Sequence, residues 1–199
     1  MEEFAGRSIS DEEGIMKHKI GIVGCAGTGK STLARSVSES LGIPLLESKE
    51  ITASILERDG YDYSSGIQVE RFLANSGRQM EILRRTIESE KSTEEFVTDR
   101  TVVDLAAYAV CEMHNHDTKA LSHVFTMCSD SVAQYSHLFL CQWDGKPVGE
   151  NQKRTLNPWY QFLVHALEVG IMEHWKCDYK VVSADGSTER LEGVLASIG

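Results

Sequence analysis

Residues 24–31 read Gly24-Cys25-Ala26-Gly27-Thr28-Gly29-Lys30-Ser31, a complete G-x-x-x-x-G-K-S pattern, and both flanks restrict what can be built around it. Ahead of it stands Lys19-Ile20-Gly21-Ile22-Val23, a short β-branched run suited to a buried strand. Behind it, Leu33, Ala34, Val37 and Leu41 recur at helical spacing. Strand, glycine turn and helix is the order that the pattern's chemistry needs. Glycine lets the backbone curl until consecutive N–H groups converge on phosphate oxygens, and the helix N-terminus adds partial positive charge. Lys30 can then bridge the outer phosphates while the Ser31 hydroxyl holds Mg²⁺. Residues 24–31, with Thr32 behind them, are therefore expected to bind a nucleoside triphosphate.

The rest of the chain alternates strand-like runs with helical stretches, the sign of a parallel sheet covered by helices. Strands are expected at 18–23, 43–46, 96–98, 138–141 and 179–182. Helices are expected after the glycine turn and at 49–58, 67–90, 102–113, 118–134, 158–175 and 187–197. Residues 143–157 carry glycine, proline and charge and read as a lid loop. The expected fold is α/β: a three-layer P-loop NTPase arrangement of five mostly parallel strands with helices on both faces. At 199 residues this suits a single domain over 18–199 behind a polar tail at 1–17.

Composition narrows the partners. A formal charge of −10 disfavours a broad basic surface for nucleic acid, though it permits one basic groove. Nothing approaches a membrane span, and the acidic start is unlike a targeting peptide. Five scattered cysteines read as reduced thiols, so a cytoplasmic setting is expected. Cys111, His114 and His116 lack a second cluster to complete a metal shell and read as loop residues.

In such sheets ligands gather at the carboxyl ends of the strands. That rule selects Glu47 after the second strand and Asp99 and Arg100 after the third, with Asp104 one turn on. After the fourth it selects the loop with Lys153 and Arg154, and after the fifth Asp185 and Gly186. Asp99 suits a metal-ordering carboxylate or a general base ahead of a helix N-cap, which would not explain the adjacent Arg100. Arg100 offers a planar fork that matches a phosphate edge. Glu47 reads as a ligand for an acceptor's hydroxyls or as the alternative base. Arg154 suits a cation delivered to the transferring phosphoryl group.

These residues resemble the P-loop nucleoside and nucleotide kinases, especially the ATPase-like kinases that include ribosylnicotinamide kinase domains and many phage proteins. The resemblance is carried by Gly24–Thr32, by Thr98-Asp99-Arg100-Thr101-Val102-Val103-Asp104-Leu105-Ala106-Ala107-Tyr108, and by Leu138-Phe139-Leu140 ahead of a basic loop with Arg154. It implies ATP and Mg²⁺ as cofactors, with Lys30 and Ser31 on phosphate and metal. Asp99 would lie near the acceptor or metal, Arg100 on phosphate, Arg154 in the lid, and Asp185 and Gly186 beside adenine. Relatives often carry an arginine three residues after the glutamate that follows strand two, where this chain has Glu50. Arg78 and Gln79 on the long helix are the candidates to replace it.

The implied activity is transfer of the γ-phosphoryl group to a small nucleoside or nucleoside monophosphate. Two alternatives stand beside it. One is a kinase for a hydroxyl on a modified base in phage DNA, with Arg78, Arg84, Arg85, Lys153 and Arg154 as contacts. The other is a nucleotide-binding switch ATPase, weakened because no Asn-Lys-x-Asp motif is present. Oligomeric state is open.

Overall fold

The computed structural model describes residues 17–62, 75–145, 157–182 and 186–199. Five strands, β1 (Lys19–Val23), β2 (Leu45–Leu46), β3 (Phe96–Thr98), β4 (His137–Cys141) and β5 (Lys180–Val182), pair in the order β2-β3-β1-β4-β5. Every pairing is parallel, with Ile20 opposite Val97 on one side and His137 on the other. The central strand is covered on both faces, which is why β1 reads as a nearly continuous apolar run.

Seven helices flank the sheet among the described residues: α1 (Lys30–Leu41), α2 (Ser48–Arg58), α3 (Ser76–Ser92), α4 (Val102–Met113), α5 (Thr118–Val132), α6 (Pro158–His174) and α7 (Ser187–Ile198). Alternate strand residues sort the core into two layers. Ile20, Ile22, Val97 and Phe139 meet Leu33 and Val37 of α1 and Val194 of α7. Val23, Phe96, Leu138 and Leu140 meet Ile55, Leu83, Ala106 and Val164 from the helices of the other face. Each such Val, Leu, Ile or Phe side chain, fully buried, contributes about 1.5–3 kcal/mol before entropy is counted.

One position on β1 has no room for a side chain. A Cβ on Gly21 would stand 2.7 Å from both Leu138 Cδ2 and Thr101 Cγ2. The missing side chain lets the start of α4 sit directly on the central strand.

The expected elements are present, with shifted ends. Residues 43–46 yield only the two-residue β2. The amides of Gly42 and Ile43 both turn back to Ser38 O to close α1, and Pro44 has no N–H to offer. The long helix, expected at 67–90, is described from Ser76, where Asn75 Oδ1 caps the Arg78 amide at 3.1 Å. Its earlier part lies in 63–74, outside the described residues, as does most of the lid loop.

Candidate active site

β1 delivers the glycine turn to the carboxyl edge of the sheet. Gly27 and Gly29 have φ of 89° and 82°, a left-handed backbone that glycine adopts without a Cβ clash. Gly24 is crowded as well, since a Cβ there would meet Thr28 Oγ1 at 2.8 Å and Cys141 O at 3.0 Å. The Thr28 hydroxyl donates to Cys25 O at 2.9 Å, and Lys30 Nζ donates to the same carbonyl at 3.4 Å. Lys30 is thus folded across the mouth of the loop. Burial pushes the Cys25 thiol up to about 12, so it stays protonated and is no nucleophile.

β3 delivers the second half. The Ser31 hydroxyl donates to Asp99 Oδ2 at 2.6 Å, joining the first turn of α1 to the end of β3. Asp99 is buried, and it is not the cap of the next helix. That place belongs to Thr101, whose hydroxyl accepts the amides of Val103 and Asp104. Arg100 is half-buried, its guanidinium 5.2 Å from the ring centre of Tyr108. Lys30, Ser31, Asp99 and Arg100 therefore share one edge of the sheet.

Asp104, expected to meet an acceptor, is engaged inside the protein. It is fully buried, and its carboxylate accepts from the Thr101 amide and hydroxyl, both at 2.8 Å, and from the Gly24 amide at 3.3 Å. It ties the start of the glycine turn to the start of α4.

Glu47 is partly buried and paired with Lys49 at 2.8 Å and Arg35 at 3.2 Å. The hydrogen bond from Lys49 leads in holding it below the usual carboxylate range, against the pull of burial. A carboxylate so held is a weak base. Glu47 also borders a cavity of about 110 Å³ between β2, α2 and α3, into which Ser48 and Thr86 also face. Arg78 is 3.0 Å from Asp59 and 3.1 Å from the Tyr61 hydroxyl, and stacks on that ring. Gln79 beside it is buried. Arg85 is paired with Glu81 at 2.9 Å.

Gly186 caps α7 at the far end of the sheet edge with φ 58°. Asp185, Lys153 and Arg154 lie outside the described residues. Two further residues bear on the turn without having been selected from sequence, Arg190 directly and Glu168 through Asp104. Arg190 Nη1 donates to Thr28 O at 2.7 Å and lies 2.9 Å from where a Cβ on Gly29 would be. The edge rule stopped at Gly186, one helical turn short of it. Glu168 of α6 is fully buried and faces Asp104. Mid-helix glutamates normally face water, so nothing in its sequence setting singled it out.

No described helix is long and apolar enough to cross a membrane. Residues 19–190 match the family model described as AAA domain. A search of curated proteins finds no match to the sequence. Solved structures share the architecture at low identity. Deoxyadenosine kinase from M. mycoides with bound dATP is 16% identical, with a TM-score of 0.62 over 91% of this chain and 98% of that one. Thymidylate kinase from Candida albicans is 15% identical, with a TM-score of 0.60 over 92% and 91%. NadR protein in complex with NR is 11% identical with a TM-score of 0.66, and the match spans 92% of this chain but 50% of that one. The chain belongs to the AAA domain family and has the fold of the P-loop nucleoside and nucleotide kinases.

Proposed function

We propose that this protein is an ATP- and Mg²⁺-dependent kinase that transfers the γ-phosphoryl group to a nucleoside or nucleoside monophosphate. The observation that carries the reading is the 2.6 Å pair of Ser31 and Asp99 beside Lys30 and Arg100. A hydroxyl and a carboxylate at this distance, at the start of a helix behind a glycine turn, form a hard oxygen donor set that fits Mg²⁺. Bound there, Mg²⁺ would neutralise charge on the β- and γ-phosphate oxygens.

The chain's own groups do the rest. The amides of residues 27–31 face the phosphates, and Lys30 leaves Cys25 O to meet them. Arg100 stabilises charge on the transferring group from the β3 side. Asp99 would help hold the metal or accept the acceptor's proton, and Arg154 is assigned to the lid. Asp185 and Gly186 are assigned to the adenine end. The acceptor lies on the side of Glu47, Arg78 and Gln79. The similar structures are a deoxyadenosine kinase with bound dATP, a thymidylate kinase and NadR protein in complex with NR, which supports a small acceptor of nucleoside type. The pairing of Arg78 with Asp59 and of Arg85 with Glu81 favours that acceptor over DNA.

The test is ADP release from ATP and Mg²⁺ against nucleosides, nucleoside monophosphates and DNA with hydroxymethylated bases. Stimulation by a nucleoside or its monophosphate is expected. Stimulation by DNA alone would replace the acceptor, and ATP binding without stimulation by any of them would favour a switch.

A further inference from the structure

The inner face of α6 carries Gln161, Val164, Glu168 and Ile171, all buried. Glu168 is the anomaly in this stripe, since its exposure is 0% and neither carboxyl oxygen has an N–H or O–H donor within reach. The nearest basic atom on its own helix, His165 Nδ1, is 3.9 Å away, beyond hydrogen-bond distance. Across the packed α4–α6 contact, where both side chains are fully buried, Glu168 faces the carboxyl of Asp104.

Two carboxyl groups can meet in a dry interior only if one of them carries a proton. Asp104 is not that one, because three donors already point at it: the Gly24 amide, the Thr101 amide and the Thr101 hydroxyl. Those bonds select an ionised acceptor. Glu168 has no such donors, so the proton belongs to it and is directed at Asp104. Burial, then the facing Asp104, push Glu168 well above the usual carboxylate range. Lys30 and Arg100 pull the other way from the mouth of the site, while Cys25, Tyr108 and Cys111 also surround the pair.

We propose that Glu168 is a positioning residue that works as a neutral acid: the proton it shares with Asp104 seats α6 against the first amide of the glycine turn. The connection runs from Glu168 to Asp104 to the Gly24 N–H, and from Asp104 to Thr101, the residue after Arg100. Loss of the proton sets two buried charges against each other and unseats α6 from the turn. The consequence for nucleotide affinity rests on the function proposed above. The consequence for stability does not.

The test compares the full-length wild type with Glu168→Gln, a neutral near-isostere that still donates a hydrogen bond. Urea midpoints and the Kd of a fluorescent ATP analogue with Mg²⁺ are read from pH 5 to 9. The folded protein holds a proton that the unfolded chain releases, so wild-type stability falls as pH rises from the ordinary glutamate value through the raised one. Relative to Glu168→Gln, the wild-type midpoint is expected to decline across this range, and its Kd to rise several-fold. Parallel pH curves, or a Gln variant weakened equally at every pH, would overturn the proposal. Absence of nucleotide binding by both proteins would overturn the proposed function and leave the midpoints to decide on Glu168. Should the Gln variant fail to fold, the infrared carbonyl band of a protonated carboxylic acid decides, read at neutral pH in a Glu90→Gln background, because Glu90 is a second buried glutamate that burial pushes upward. Its presence supports the neutral Glu168 and its absence overturns it.

Discussion

Ser31 and Asp99 lie 68 residues apart in sequence and 2.6 Å apart in space, hydroxyl donating to carboxylate. The contact exists because β3 lies directly beside β1, so the end of one strand opens onto the helix that follows the other. Removing the charge from Asp99 should separate binding from turnover. Asp99→Asn is expected to leave ATP affinity within a few-fold while kcat falls roughly 10²-fold or more. Steady-state kinetics with parallel nucleotide titration check this, and an unchanged kcat would reduce Asp99 to a structural partner of Ser31.

Arg190 holds the turn from outside by its 2.7 Å bond to Thr28 O. Arg190→Ala should weaken nucleotide binding about tenfold or more through a looser turn, in keeping with the loss of one charged hydrogen bond. Titration with a fluorescent nucleotide measures it. An unaltered Kd would show that the turn holds its shape without α7.

Gly21 should not tolerate even a methyl group. The atoms a Cβ would strike belong to Leu138, which is 5% exposed, and to Thr101, which is fully buried and fixed by its cap. Gly21→Ala is expected to cost about 1–3 kcal/mol as an overpacked core site. Urea unfolding reads the loss, and a wild-type midpoint would mean that α4 can shift freely on the sheet.

Glu90 gives stability a pH dependence of known sign. Burial raises it to about 8, although the Tyr135 hydroxyl and Gln134 amide donate to it. The folded state therefore keeps a proton that the unfolded chain loses near the ordinary glutamate value. The stability it contributes is complete below that value and is lost as pH rises through about 8. Unfolding midpoints of wild type minus Glu90→Gln should decline over that window and then level off. A flat difference would contradict a protonated Glu90.

The strands and helices were legible because their signals are local. The β-branched runs before Gly24 and Asp99 and the apolar spacing of α1 and α4 need no tertiary knowledge. Ends were less so: β2 lost Ile43 to a backbone bond with Ser38 that its β-branched side chain does not announce. The edge rule brought Lys30, Ser31, Asp99 and Arg100 into one place, since it follows from topology. It read Asp104 as a ligand contact because spacing does not reveal burial, and here the carboxylate is consumed by Thr101 and Gly24. Glu168 and Arg190 escaped for a related reason. Each acts through a partner more than 60 residues away that only packing supplies.

The most direct measurement is transfer of labelled γ-phosphoryl from ATP to a nucleoside or nucleoside monophosphate, wild type against Lys30→Ala. The expected result is a labelled acceptor with wild type and transfer reduced by at least about 10²-fold when the phosphate clamp is gone. Equal transfer by both proteins, or no labelled acceptor from a wild type that binds ATP, would contradict it.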